Sequence, residues 1–168
     1  MGSRETGGGA AAAGKTGGSP TRRVGAASWA SSPAVRRSMQ ANKRRDTAPE
    51  LRIRSALHAL GLRFRVDRRP IAAIAGRADV VFTRRHVAVF VDGCFWHGCA
   101  AHFSAPATNR AYWAAKIDGN RRRDHVTTAA LEAAGWRVVR VWEHEDPVGA
   151  AASIATLVSE RGSTGPLA

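Results

Sequence analysis

Residues 87–102 read Val87-Ala88-Val89-Phe90-Val91-Asp92-Gly93-Cys94-Phe95-Trp96-His97-Gly98-Cys99-Ala100-Ala101-His102, and their reading decides the fold. Five apolar residues in succession, rich in β-branched types, predict a strand covered on both faces, the central strand of an α/β sheet. Function in such sheets gathers where strands end. This strand ends in a turn that holds both cysteines of the chain, two histidines, a carboxylate and an adjacent aromatic pair. Packing alone gives no reason for that density.

Upstream, Ala78-Asp79-Val80-Val81-Phe82 predicts a second strand, joined through Thr83-Arg84-Arg85 closely enough to make an antiparallel hairpin. Residues 64–66 predict a further short strand. Thr47-Ala48-Pro49-Glu50 has the spacing of a capping box with proline in the first turn; Leu51, Ile53, Leu57 and Leu60 follow near helical period, and Gly61 is the stop. Residues 34–42, carrying Arg36, Arg37 and Met39, predict a shorter helix after Ser32-Pro33. Downstream, residues 108–134 predict one long helix or two shorter ones divided near Asp118-Gly119. Residues 136–142 predict a strand, and Asp146-Pro147 opens a last helix running to about Glu160. The expected fold class is α/β, a small mixed β-sheet flanked by helices.

A chain of 168 residues with 44% hydrophobic residues suits one domain with a real core. The expected bounds are 32–160, with a disordered basic tail over 1–31 and a flexible end over 161–168. The tail is built of Gly, Ala, Ser, Thr and Arg, too little apolar surface to offset chain entropy. A net charge of +13 and a pI near 11.6 point to nucleic acid as the partner. Residues 36–69 hold eleven Lys/Arg against three Asp/Glu, the expected phosphate-contacting face. No run approaches the roughly 18 apolar residues of a membrane span, so no membrane partner is expected. Without a secretory signal pattern, cysteines beside histidines read as a metal site in a reducing cytoplasm.

Cys94-x4-Cys99-x2-His102 offers two thiolates and an imidazole, ligands that select Zn²⁺. A closed tetrahedral site needs a fourth. His144, just past the strand at 136–142, and His97 are the rivals, and spacing does not decide between them. With four protein ligands such a zinc is structural.

Asp79 interrupts an apolar strand, where a bare carboxylate costs several kcal/mol unless it is paired or holds a cation. With the Val91 carbonyl, Asp92 and Glu50 it suits Mg²⁺, which takes one or two carboxylates and keeps places for water and phosphate. The bland alternative pairs Asp79 with Arg77 or Arg137 and leaves Glu50 as a helix cap. His97 suits a general base, its ordinary pKa being about 6.5. Phe95-Trp96 and Tyr112-Trp113 are either core or flat wedges able to enter a base stack.

Cys94-Phe95-Trp96-His97-Gly98-Cys99-x-x-His102 resembles the signature of the very-short-patch mismatch repair endonucleases. The likeness continues through Arg44-Arg45-Asp46-Thr47-x-x-Glu50, Gly76-Arg77-x-Asp79, Val91-Asp92-Gly93, Pro106-x-Thr108-x-x-x-Tyr112-Trp113-x-x-Lys116, Asn120-x-x-x-Asp124 and Gly135-Trp136-Arg137-Val138. The resemblance implies a restriction-endonuclease-like fold, a structural zinc, and Mg²⁺-dependent nicking 5′ of the thymine in a T·G mismatch left by deamination of 5-methylcytosine. It also implies a monomer working in the cytoplasm on double-stranded DNA, within the nucleoid, linked functionally to a cytosine-5 DNA methyltransferase.

By position, the resemblance implies Asp79 and the Val91 carbonyl as Mg²⁺ ligands, His97 as catalytic base, and Glu50 and Asp124 as supporting acids. It gives Cys94, Cys99, His102 and His144 to zinc. Phe95, Trp96 and Trp113 resemble major-groove wedges, Met39 enters from the minor groove, and Arg44, Arg45 and Lys116 are further DNA contacts. Where some members carry a thiolate this chain has His144, and where some carry Thr-His it has Val91-Asp92. The second change is expected to make the metal site more acidic. Rival functions are a restriction-type nuclease on paired DNA and a non-catalytic zinc-stabilised DNA-binding module.

Overall fold

In the computed structural model, residues 45–163 are described; the expected tail at 1–31, the helix at 34–42 with Met39, Arg44, and residues 164–168 of the expected flexible end lie outside them. The elements are α1 (Ala48–Ala59), β1 (Arg65–Arg68), β2 (Ala78–Phe82), β3 (Val87–Asp92), the single turn α2 (Cys94–His97), α3 (Arg110–Ala133), β4 (Arg137–Trp142) and α4 (Pro147–Ser163). The strands form one mixed sheet in the order β1-β2-β3-β4. Pairing is antiparallel from β1 to β3, and β4 runs parallel to β3, with Val87 opposite Arg137 and Asp92 opposite Trp142. α3 is the crossover that a parallel pair requires.

Alternation along β3 divides the core between two faces. Val87 and Val89 join Val80, Phe82 and Val141 beneath α1 and α4, where Ile53, Leu57, Ile154 and Val158 are buried. Ala88 and Val81 pack on the other face with Leu131 of α3 and Trp136. The central strand is covered on both sides, as its unbroken apolar run requires.

Several boundaries differ from expectation. β1 begins at Arg65 rather than at residue 64, and α4 runs past Glu160 to Ser163, whereas α1 ends at Ala59 with Gly61 just beyond it at a left-handed φ of +76°, the stop expected there. The Thr47 side chain does not cap α1. Its hydroxyl donates to Glu50 Oε1 at 2.9 Å, while Asp46 N–H donates to Glu50 Oε2 at 2.9 Å, so Glu50 reaches back to the residue before the cap instead of closing a capping box. α3 passes through Asp118-Gly119 unbroken. A mid-helix glycine costs about 1 kcal/mol, and burial of Trp113, Ile117 and Leu131 along the same helix outweighs it.

Candidate active site and metal centre

Parallel pairing sets the carboxyl ends of β3 and β4 side by side, and the turns that leave them meet. Cys94, Cys99 and His102 come from the first turn and His144 from the second; their ligand atoms all lie within 4.8 Å of one another. Cys94 Sγ is 3.1 Å from His144 Nδ1, and Cys99 Sγ is 3.8 Å from His102 Nδ1 and 3.9 Å from His144 Nδ1. A tetrahedral shell with bonds of about 2.0–2.3 Å separates its donors by about 3.3–3.8 Å. Two thiols and two imidazoles gathered near this spacing make a donor set able to hold a metal ion, and their softness suits one of the zinc type. Its surroundings are held tightly: Glu143 Oε1 accepts the Cys94 N–H at 2.6 Å, and the Cys99 N–H bonds the Cys94 carbonyl at 2.9 Å.

His97 stands outside this cluster. Its Nδ1 is 2.5 Å from Asp124 Oδ2 on α3. An ionised carboxylate only accepts, so Nδ1 carries the proton and Nε2 is the basic nitrogen. The turn is fixed to α3 by carbonyl contacts, Asn120 Nδ2 donating to Trp96 O at 2.7 Å and Arg121 Nε to His97 O at 3.0 Å.

Asp79, Asp92, His97 and Asp124 all line one cleft of about 510 Å³, open beside Arg122 and Arg123. Asp79 does not take the basic partner that a buried carboxylate ordinarily finds: Arg77 is bound to Asp67 at 2.7 Å, and Asp79 Oδ2 instead accepts the Val91 N–H at 2.7 Å. Burial pushes Asp79 up from 3.8 to about 6; the Val91 N–H works against the rise, and the Glu50 and Asp92 carboxylates add to it. The Arg54 charge also works against the rise, but no basic side chain pairs with Asp79 among the described residues, and a cleft-facing carboxylate without such a pair fits a hard ion that completes its shell with water and phosphate.

Glu50 is more than a cap. It is 5% exposed, and Arg54 Nη2 donates to its Oε2 at 2.7 Å. Asp92 adds to the negative potential at Asp79, as its sequence position suggests, but it is not a free carboxylate. Both its oxygens are bound by Arg140 at 2.6 Å, which draws most of its charge into an ion pair.

Phe95 and Trp96 are half-buried rather than exposed, and Trp113 is buried. The Phe95 centroid lies 5.2 Å from those of Trp96 and Trp113, and Tyr112 is 5.2 Å from Trp113. The two aromatic pairs therefore form one cluster. Arg45 is exposed and makes ion pairs with Asp46 and Asp67 at 3.3 and 3.7 Å, and Lys116 is exposed on α3. Arg140, Arg54, Asn120, Arg121 and Glu143 escaped assignment from sequence. Arg140 interrupts the apolar run of β4 as Asp79 interrupts that of β2, and that signal was available.

The family model described as DNA mismatch endonuclease Vsr matches residues 31–102. The chain is 49% identical over 120 residues to the type II nicking enzyme V.NaeI of Lentzea aerocolonigenes, covering 70% of this chain and 72% of that protein. It is 44% identical over 108 residues to the type II nicking enzyme V.XorIIP of Xanthomonas oryzae pv. oryzae, covering 64% and 77%. With the DNA mismatch endonuclease Vsr of Escherichia coli K12 the identity is 41% over 108 residues, covering 64% and 67%. The site turn, the acidic strand and the kinship agree, and the chain belongs to the Vsr family of DNA endonucleases.

Proposed function

We propose that the protein nicks one strand of duplex DNA 5′ of the thymine in a T·G mismatch by Mg²⁺-dependent hydrolysis, on a restriction-endonuclease-like fold pinned by zinc. The observation that carries this reading is the meeting in one cleft of Asp79, which makes no ion pair among the described residues, with a His97–Asp124 pair whose free nitrogen is basic. Asp79 and the Val91 carbonyl would hold Mg²⁺, which when bound supplies Lewis-acid polarisation of the phosphate and stabilises the leaving oxygen. Cys94, Cys99, His102 and His144 would hold the zinc, which when bound fixes the turn that carries His97.

The remaining work falls to side chains. His97 Nε2 takes the proton of the attacking water, and Asp124 keeps Nδ1 protonated throughout. Glu50, tied to Arg54, keeps a second carboxylate near Asp79. Phe95, Trp96 and Trp113 open the mismatch, and a wobble pair yields more readily than a Watson–Crick pair, which gives discrimination through deformability. Arg45, Lys116 and the segment carrying Met39 and Arg44 grip the flanking duplex. The reading makes the protein a cytoplasmic monomer whose substrates arise from the action of a cytosine-5 DNA methyltransferase.

End-labelled duplexes bearing T·G, T·A or C·G at one position, incubated with and without Mg²⁺, test the reading. A single Mg²⁺-dependent product 5′ of the mismatched thymine is expected. Equal cutting of the paired duplexes supports the paired-DNA alternative, and binding with no product supports a non-catalytic module. Trp113→Ala is expected to narrow the T·G to T·A rate ratio; an unchanged ratio assigns Trp113 to packing alone.

A further inference from the structure

Asp92 and Arg140 have no part in the chemistry above, yet both line the cleft beside His97. Asp92 is 5% exposed, and a carboxylate so buried needs a partner. The neighbouring strand supplies it: Arg140 Nε and Nη2 donate to Asp92 Oδ2 and Oδ1, each at 2.6 Å. A guanidinium fixed by two parallel bonds has little freedom in where its other edges point. The same Nη2 reaches Asp124 Oδ1 at 3.1 Å, and the other oxygen of Asp124 holds His97. The Phe90 ring lies 5.2 Å from Arg140 Cζ and supports the fork from one side.

We propose that Asp92 and Arg140 form a positioning pair for hydrolysis: anchored strand to strand, they fix Asp124, which in turn holds the His97 ring with Nδ1 protonated and Nε2 toward the cleft. The proposal rests on His97 acting as the base. Asp124 is only partly buried, and without Arg140 its carboxylate turns freely to water and releases the ring. Lysine is a poor substitute, because one nitrogen does not bind Asp92 twice and still meet Asp124.

The test uses single-turnover nicking rates and DNA affinities of the zinc-loaded protein. The variants are His97→Ala, Arg140→Lys and the double variant Asp92→Asn/Arg140→Met. The double variant removes the buried Asp92 charge together with the partner that neutralises it, so no ion is stranded there. It is expected to lose about 10²-fold in rate with unchanged DNA affinity. By ¹⁵N NMR the His97 ring is expected to show a single Nδ1–H tautomer in the wild type and a mixture in the double variant. Arg140→Lys should recover only a minor part of the rate. A double variant with wild-type rate or a retained single tautomer, or full activity in Arg140→Lys, overturns the pair while leaving His97 as base. Normal cleavage by His97→Ala overturns the base assignment itself, and the pair with it.

Discussion

Asp79 is a carboxyl group raised on folding from 3.8 to about 6, burial being the main cause. Folding therefore favours its protonated form, and the sign of the pH effect follows. The contribution is most favourable below about pH 4 and is lost as pH rises through 4 to 6. At pH 7.5 the ionised group costs on the order of 1–3 kcal/mol. Asp79→Asn, which still accepts the Val91 N–H, is thus expected to raise the melting temperature in Mg²⁺-free buffer at pH 7.5, with the gain fading by pH 4, while nicking is abolished. A variant less stable than wild type at pH 7.5, or one that still cuts, removes Asp79 from the cation site. This residue was legible in the sequence because a charge inside an apolar strand stands out. Arg140 obeys the same rule and was missed: in a chain with 26 Lys and Arg, one more arginine is hard to see against the background.

The turn Cys94–His97 and the helix α3 work as one element. Gly98 closes the turn at φ +62°, where a Cβ would stand 2.6 Å from Arg121 Nη2 and 2.9 Å from the Cγ2 of buried Ile117. Gly98→Ala therefore meets both backbone strain and a clash, and is expected to cost more than about 1 kcal/mol. It should also slow nicking by shifting His97 away from Asp124. Thermal melts and single-turnover rates check both effects; a variant with wild-type melting and rate shows that the turn is not held by this contact. The strands and the turn could be read in advance because short apolar, β-branched runs and a cysteine–histidine spacing are local signals. The continuity of α3 could not, since local propensity at Asp118-Gly119 argues for a break and only tertiary burial on either side overrides it. Likewise, the merging of Phe95-Trp96 with Tyr112-Trp113 depends on how α3 docks, which spacing does not encode.

For the molecule as a whole, a net charge of +13 governs how DNA is met. Arg122 and Arg123, beside the cleft, are exposed, as are Arg45 and Lys116. If these and their neighbours neutralise 6–10 phosphates, duplex affinity should fall by about 10³-fold or more between 50 and 200 mM salt. A fluorescence-anisotropy titration with a flat salt response would show that the basic surface is not the docking face. Among the described residues no helix is long and apolar enough to cross a membrane.

The parallel register of β3 and β4 has one last consequence. Cys94 and His144 are 50 positions apart, so an ion shared by them closes a ring that contains all of α3 and β4. Such an ion acts as a removable cross-link. By loop entropy it handicaps the unfolded chain by about 4 kcal/mol, and the ring cannot be drawn shut until the last strand has been synthesised and seated.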